Sequence, residues 1–471
     1  MELGRREFLA ASIMTGAAAI ASKPAFGSAG RGTMQGFAAA PIPELRVGFI
    51  GLGMRGPGAV HRISQLPGVR VTHLCDFYKD RAERQNSWLA KNKKPKAKVH
   101  YGEEGWKALC EADDVDLVYE ATPWYMHTPV AVYAMQHGKH VAVEVPAALT
   151  LEECWQLVDV SEKTRKHCMM LENCCYGEVE MFALVLAREG AFGEIVHGEG
   201  AYIHDLRSLN YAEMKKGGYY NHWRLRHNKV HTGNPYPTHG LGPICQAMNV
   251  NRGDKMDYLV SVSSRQAGMS AYAKAKCAGT WKADMVPALG DMNTTVIRTA
   301  LGRTIMIQHD VTSPRPYSRI NLLSGTKGIL ADYPFRVAFD VKGDGAHSWM
   351  ADKDAVKLLK EKSHPLWKTA GEVAKRIGGH GGMDFLMDLR LCYCLQNGLP
   401  LDQDVYDAAA WSSLCDLTEK SARNRGATQD VPDFTRGGWK TAEPLGIVDV
   451  DLAKMGFNAG KTKKDDGQLN V

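Results

Sequence analysis

Residues 46–56, with the sequence RVGFIGLGMRG, decide the fold of this chain. A short apolar run leads into a G-x-G-x-x-G motif, and a helical pattern follows it. In such a motif Gly51 permits a tight turn, Gly53 lets the backbone approach a pyrophosphate, and Gly56 lets the next helix pack closely. The N-terminus of that helix then attracts the phosphate charge. The stretch therefore predicts a dinucleotide site.

The sequence around the motif makes it specific, since a chain with 47 glycines can produce this spacing by chance. β-rich runs alternate with helical stretches as far as residue 165, which is typical of a parallel sheet. We therefore expect a Rossmann domain over residues 45–165. Its predicted strands are Arg46–Ile50, Val69–Cys75, Val115–Ala121 and His140–Glu144, and its predicted helices are Pro57–Gln65, Lys79–Lys91, Thr128–His137 and Leu151–Arg165.

Asp76 follows the second predicted strand directly, about twenty residues after Gly56. A carboxylate at this place can accept hydrogen bonds from both ribose hydroxyls of NAD, whereas it repels the 2′-phosphate of NADP. NAD is therefore the expected cofactor. The alternative is that Asp76 is a turn residue that caps the next helix.

The second part of the chain has a different pattern, in which strand-like runs follow one another with few helices between them. Because 471 residues exceed what one core supports, we expect a second domain. The pattern predicts a substrate-binding α+β domain over residues 166–440 with a large, mostly antiparallel sheet, and then an extended tail over residues 441–471. The overall class is α/β. The predicted strands are Ile195–Ile203, Tyr258–Ser264, Thr294–Leu301 and Thr304–Val311, and helical segments lie near Met383–Gln396 and Val405–Asn424.

Residues 1–31 have the pattern of an export signal rather than of a folded element. RREFL at residues 5–9 is a twin-arginine pattern, an apolar stretch follows, and AIA at residues 19–21 is a candidate cleavage site. The alternative is an alanine-rich helix with two chance arginines. We expect a periplasmic or extracellular protein, with a linker over residues 32–44.

The composition argues against several classes of partner. The formal charge of +6 is small and scattered, so nucleic acid is not expected. No segment after the leader reaches the roughly 20 residues that span a bilayer, so we expect no stable membrane insertion. We also expect no metal site, because the eleven cysteines form no C-x-x-C pair and His227-x-x-x-His231 lacks the zincin glutamate. The glycine-rich residues 378–382 predict a flexible turn, from which His380 could reach the pocket.

A further strand end lies where a nicotinamide is expected, because ligands collect at the carboxyl ends of parallel strands. It carries Glu144-Val145-Pro146. Here the chain resembles the oxidoreductase superfamily that includes glucose-fructose oxidoreductase and inositol dehydrogenase. Those enzymes usually carry Glu-Lys-Pro, with the lysine contacting the reacting hydroxyl. Valine can neither donate nor relay a proton, so a simple dehydrogenase would lose its usual contact.

Two stretches farther along, HWR at residues 222–224 and NPYPTHGLGP at residues 234–243, are dense in groups suited to a sugar. Indole and phenol rings can stack on a pyranose, arginine can bind hydroxyl or acetamido oxygens, and a Tyr/His pair can move protons near neutral pH. By composition alone the second stretch could equally be an ordered surface loop.

Taken together, these motifs closely resemble glycoside hydrolase family 109, the NAD-dependent α-N-acetylgalactosaminidases. The resemblance spans nearly the entire mature chain, and its motifs include LENCCYG at residues 171–177 and PDFTRG at residues 432–437. It implies a glycan or glycoside substrate, with His239 and Tyr236, and then Tyr176, as candidates for proton transfer. The NAD contacts that it implies are Met54, Arg55, Asp76, Trp124, His127, Glu144, Val145 and Asn173, and the sugar contacts are Tyr202, Arg224, Tyr236 and Tyr317.

The resemblance implies a route in which the sugar is oxidised at C3 by hydride transfer to NAD and the acidified C2 proton is removed. The aglycone is then eliminated, water adds, and the hydride returns to C3. Two rival hypotheses are an exported NAD(P)-dependent sugar oxidoreductase, expected to carry lysine at position 145, and a non-catalytic NAD-containing sugar-binding protein. The superfamily resemblance also implies a homodimer through the open face of the second sheet.

Overall fold

The computed structural model of the chain describes residues 32–340, 343 and 347–457. The predicted export signal at residues 1–31 lies outside the described residues, as does the end of the predicted tail, residues 458–471. Within the described residues the predicted fold class is confirmed, because a parallel sheet is followed by a larger, mostly antiparallel one.

The first sheet has six parallel strands in the order β3-β2-β1-β4-β5-β6. The central strands are buried and apolar because helices cover both faces of such a sheet. The strand order reverses direction between β1 and β4, which opens a crevice at their carboxyl ends. The strands are β1 Leu45–Ile50, β2 Val69–Asp76, β3 Lys98–Tyr101, β4 Leu117–Glu120, β5 His140–Val143 and β6 Cys168–Met170, and the helices between them are α1 Gly56–Ile63, α2 Lys79–Lys91, α3 Gly105–Glu111, α4 Trp124–Gln136 and α5 Leu151–Thr164.

The sheet differs from the prediction in two places. Strand β3 and helix α3 were not predicted, because β3 has four half-buried or exposed residues at the edge of the sheet and carries no apolar run. Strand β6 lies beyond the predicted end of the domain at residue 165. The first domain therefore continues past the predicted boundary.

The second sheet has eight strands in the order β13-β12-β11-β7-β10-β9-β8-β14. Strands β7 and β10 pair in parallel and the other neighbours pair antiparallel. All four predicted strand segments are present. The strands are β7 Ile195–Ile203, β8 Met256–Ser263, β9 Asn293–Thr299, β10 Thr304–Asp310, β11 Leu322–Gly325, β12 Gly328–Ala331, β13 Arg336–Phe339 and β14 Gln429–Asp430.

The helices of the second half serve both domains. The later helices return to the first domain, where Asp388 accepts a hydrogen bond from Arg62 at 2.8 Å, while Ser421 bonds the backbone of β8. No helix among the described residues is long and apolar enough to cross a membrane. The helices are α6 Glu178–Arg188, α7 Arg207–Tyr211, α8 Trp223–Val230, α9 Thr238–Ala247, α10 Gly268–Lys276, α11 Asp352–Glu361, α12 Pro365–Ile377, α13 Met383–Asn397, α14 Val405–Ser412 and α15 Leu414–Arg423.

The predicted linker and tail pack on the fold without forming helices or strands of their own. Met34 is buried and its backbone donates a hydrogen bond to the hydroxyl of Tyr406, and Ile42 bonds the backbone of α13. At the other end, Phe457 lies against Phe385 with ring centroids 6.1 Å apart. Both segments are therefore part of the packed structure as far as it is described.

Candidate active site

The turn between β1 and α1 has the shape that a pyrophosphate requires. Gly51 has φ +89°, and a Cβ added there would lie 2.5 Å from the carbonyl oxygen of Ala121. A Cβ at Gly56 would collide with the carbonyl of Gly51, whereas a Cβ at Gly53 would meet only the end of the Arg81 side chain. The outer glycines are thus needed for packing, and the middle one keeps the backbone accessible. These residues fit a dinucleotide.

Asp76 holds this turn through both oxygens of its carboxylate. Its Oδ2 accepts a hydrogen bond from the backbone of Leu52 at 2.7 Å, and its Oδ1 accepts one from Tyr78 at 2.9 Å. Each oxygen keeps a second lone pair, which a ribose hydroxyl could use. The predicted binding role and the alternative turn role are therefore compatible in one residue.

On the nicotinamide side of the crevice, the predicted residues Arg55 and Glu144 form an ion pair. Nε of Arg55 donates to Glu144 at 3.0 Å, and Nη1 donates to Asp384 at 3.1 Å. Asn173, at the end of β6, donates to the other oxygen of Asp384 at 2.5 Å. Asp384 comes from helix α13, so the second half of the chain completes this part of the site.

The position of Asp384 depends on the glycine-rich turn at residues 378–382. Four glycines of this turn have φ between +72° and +109°, and a Cβ at Gly379 would lie 2.6 Å from the side chain of Asp384. The turn also brings Nδ1 of His380 to 3.0 Å from Asp384. Burial alone would raise the pKa of Asp384, but the charges of Arg55 and His380 hold it well below its usual range. The carboxylate is therefore ionised.

Aromatic rings and one arginine form the sugar side of the site. Tyr236 stacks on Trp124 with ring centroids 5.6 Å apart and lies 4.6 Å from Tyr202. The guanidinium of Arg224 lies 4.8 Å from the centroid of Trp124 and 4.9 Å from that of Tyr236. Its Nη1 donates to Tyr219, whereas its buried Nη2 has no partner among the described residues. An unpaired buried donor of this kind can bind a ligand oxygen.

His239 and Glu172 form a hydrogen-bonded pair beside these rings. Nδ1 of His239 lies 2.7 Å and 3.0 Å from the two carboxylate oxygens of Glu172, which is fully buried at the end of β6. Burial would raise the pKa of Glu172, but the charge of His239 and its hydrogen bond lower it. With the hydrogen bond to Glu172 on Nδ1, Nε2 is the nitrogen that a neutral ring leaves as an acceptor. The His239 ring centroid lies 4.9 Å from that of Tyr236.

Four further predicted site residues have the following surroundings in the structure. The hydroxyl of Tyr176 is buried and donates to Asp402 at 3.0 Å, and no described ring contact joins it to Tyr236 or His239. Both ring nitrogens of His127 lie within 2.8 Å of backbone carbonyl oxygens, so this side chain links two loops. Tyr317 is 37% exposed at the rim, where Arg319 donates to it. Val145 is buried at the strand end.

One group of described side chains could hold a metal ion, because ligand atoms of Glu172, Cys174 and His239 lie within 4.8 Å of one another. The prediction of no metal site was made from cysteine spacing, which does not test this cluster. In the structure the Glu172 oxygens bond to Nδ1 of His239, and burial raises the pKa of the Cys174 thiol well above its usual value. We therefore interpret the group as a carboxylate–histidine pair.

Sequence reasoning missed two residues of the site. Glu172 was within the quoted LENCCYG motif, and its place after a strand is the signal that could have identified it, as for Asp76 and Glu144. Asp384 had a weaker signal, which was the glycine-rich turn that precedes its helix. The distance of 329 positions between Asp384 and Arg55 concealed their contact.

Comparison with known proteins agrees with this geometry. Residues 45–172 match the model of an oxidoreductase family with an NAD-binding Rossmann fold. Residues 176–441 match the model of the glycosyl hydrolase 109 C-terminal domain. The first match confirms NAD as the cofactor and confirms the interpretation of the 46–56 motif.

Similar proteins point to the same family. An alpha-N-acetylgalactosaminidase of Bacteroides fragilis is 50% identical over 407 residues, which are 86% of this chain and 95% of the relative. One from Shewanella oneidensis is 46% identical over 437 residues, covering 92% and 93%. Levoglucosan dehydrogenase in complex with NADH has the same fold, with a TM-score of 0.61 and 19% identity over 83% of this chain and 99% of its own. The chain therefore belongs to glycosyl hydrolase family 109, and it is a glycosidase with an NAD-binding domain.

Proposed function

We propose that this protein cleaves terminal α-N-acetylgalactosaminides and that His239 and Tyr236 transfer the protons of the reaction. The observation that supports this most directly is the His239–Glu172 pair, which lies beside an aromatic pocket at the same edge as the dinucleotide turn. Relatives named alpha-N-acetylgalactosaminidase at 46% to 50% identity support the choice of sugar.

Two side chains of the pocket are placed to transfer the protons of the reaction. When bound, NAD supplies a hydride acceptor that permits reversible oxidation of a sugar carbon. Nε2 of His239 is the nitrogen that accepts a proton, because Nδ1 is engaged by the hydrogen bond to Glu172. Burial raises the pKa of Tyr236 well above its usual value, so its hydroxyl stays protonated and can donate. Because Val145 has no proton to transfer, His239 and Tyr236 carry out the proton transfers.

Arg224 and the rings around it recognise the sugar. The unpaired Nη2 of Arg224 donates to a hydroxyl or acetamido oxygen, and Trp124 and Tyr202 limit the space around that oxygen. Tyr317 at the rim contacts the sugar from the solvent side.

The decisive experiment follows hydrolysis of p-nitrophenyl α-N-acetylgalactosaminide in deuterium oxide. We expect release of p-nitrophenol and deuterium at C2 of the sugar product, because a route through a C3 ketone makes the C2 proton exchangeable. The β-anomer and free N-acetylgalactosamine serve as controls. Product without C2 deuterium from an active enzyme would contradict the route, and absence of hydrolysis would favour the rival oxidoreductase.

We also propose export by the twin-arginine route, supported by RREFL at residues 5–9. Changing both arginines to lysine should retain the protein in the cytoplasm of the native host, as measured by fractionation. Unchanged export would contradict this proposal.

We further propose a homodimer through the open face of the second sheet. Val262 and Val296 on this sheet are 62% and 42% exposed. Light scattering should give twice the monomer mass, and a monomer at micromolar concentration would contradict the proposal.

A further inference from the structure

A strap of the second domain, defined as residues 213–222, reaches the ribose end of the dinucleotide site. Its tip is Tyr220, whose ring centroid lies 5.8 Å from that of Phe77 and 5.9 Å from that of Tyr78. Phe77 and Tyr78 directly follow Asp76, and their own rings meet edge to face at 5.2 Å. Three rings therefore cluster beside the carboxylate that is placed for the ribose.

The cluster leaves an apolar surface open to a ligand. Phe77 remains 47% exposed although Tyr220 and Tyr78 contact it. A purine stacks on aromatic rings through its own π face, so this surface suits the adenine of a dinucleotide. Burial raises the pKa of Tyr220, and the charge of Asp76 contributes to the shift, which agrees with a phenol close to that carboxylate.

Contacts within the second domain hold the strap at both ends. Glu213 accepts a hydrogen bond at 2.6 Å from Lys282, which is buried, and lies 3.4 Å from His222. Asn221 and His222 have φ of +46° and +48°, and the carbonyl of Asn221 accepts a hydrogen bond from Arg226 at 2.8 Å. Two consecutive left-handed residues reverse the chain directly after Tyr220. The tip is thus presented by a fixed turn.

We propose that the strap retains the cofactor, because the ring of Tyr220 covers the adenosine end of bound NAD and has to lift before the dinucleotide can leave. Slow release suits the proposed reaction, which returns its hydride and needs no exchange of cofactor. The inference rests on the NAD-binding domain and the proposed closed cycle, but its test uses no sugar. Its failure can therefore be told apart from failure of the proposed activity.

The experiment measures exchange of bound NAD. Holoenzyme is mixed with excess isotope-labelled NAD, desalted at intervals and analysed by mass spectrometry. Tyr220→Ala should exchange about tenfold faster, since one ring contact contributes about as much as a tenfold change in an equilibrium constant. Tyr220→Phe should stay within about twofold of the wild type. Trp349→Ala, which removes another exposed aromatic ring of the second domain, is the matched control and should not change the rate.

A second variant separates the strap from the ring itself. Glu213→Gln keeps Tyr220 but weakens the anchor on Lys282, so exchange should accelerate about threefold. Thermal unfolding shows whether each variant is folded. Wild-type exchange rates in Tyr220→Ala, or in Glu213→Gln should Tyr220→Ala not fold, would overturn the proposal. Equal acceleration in Tyr220→Phe and Tyr220→Ala would overturn it too, since retention would then depend on the hydroxyl.

Discussion

The two halves of the active site both contain charged groups, but these groups are paired differently. On the cofactor side the charges are paired within the protein, with Arg55 held by Glu144 and Asp384. On the sugar side Arg224 lies among aromatic rings with one donor unpaired, and His239 is held on one nitrogen only. Complete internal pairing fixes the side chains on the cofactor side, whereas incomplete pairing on the sugar side leaves donors and acceptors for the substrate.

The largest effect is expected from Asp384→Asn, which breaks the ion pair with Arg55 on the cofactor side. Removing one partner of a buried ion pair costs at most about 3 to 5 kcal/mol; here Arg55 and Arg62 lose one compensating charge but keep Glu144 and Asp388. Denaturant unfolding should show this loss of stability at pH 7, together with faster loss of NAD.

The pH dependence of that effect follows from the lowered pKa of Asp384. A carboxyl group with a lowered pKa stabilises the fold above its ordinary pKa, and this contribution is lost as the pH falls through the lowered value. The stability difference between the wild type and Asp384→Asn should therefore shrink in acid. A difference that grows in acid would show that Asp384 is not the ionised partner.

On the sugar side, His239→Ala and Tyr236→Phe should each lower kcat by roughly 100-fold or more while NAD stays bound. The rate of p-nitrophenol release and the NAD content of the purified protein measure the two effects separately. Tyr176→Phe is the matched control, because its hydroxyl bonds Asp402 outside the pocket. Loss of NAD from His239→Ala would instead indicate a binding role.

A smaller effect is expected from Asp76→Ala, at the ribose end of the dinucleotide site. The variant removes a ribose acceptor and a repulsive charge, so retention of NAD should weaken about tenfold and preference over NADP should relax. Competition between NAD and NADP for protein from which the bound NAD has been removed measures the preference. Unchanged preference would show that Asp76 serves the turn alone.

The sequence predicted the parts of the structure that follow from local patterns. The 46–56 motif and the strand periodicity depend on neighbouring residues, and the structure and the family match agree with them. Helix α2 was predicted with the bounds that it has. Edge strand β3 has no apolar run, so its pattern carried no signal.

A family motif could name candidate site residues, whereas contacts between distant segments left no such pattern in the sequence. Asp384 and Tyr220 contact the first domain across long stretches of sequence, and the residues next to them do not identify those partners. Tyr176 shows the opposite limit, because its neighbours belong to the motif while its hydroxyl points elsewhere. Sequence patterns locate residues along the chain but do not orient their side chains.

The contact between Arg55 and Asp384 also has a consequence for the order in which the protein is made. The dinucleotide turn at residues 51–56 is synthesised early, but Asp384, the ionic partner of its Arg55, follows 329 residues later. A nascent chain that ends before α13 therefore has the dinucleotide turn without the carboxylate that fixes its arginine. Ribosome-bound intermediates of that length should not assemble the complete cofactor side of the site. Cofactor binding is then a late event in biosynthesis and reports whether the whole chain has folded.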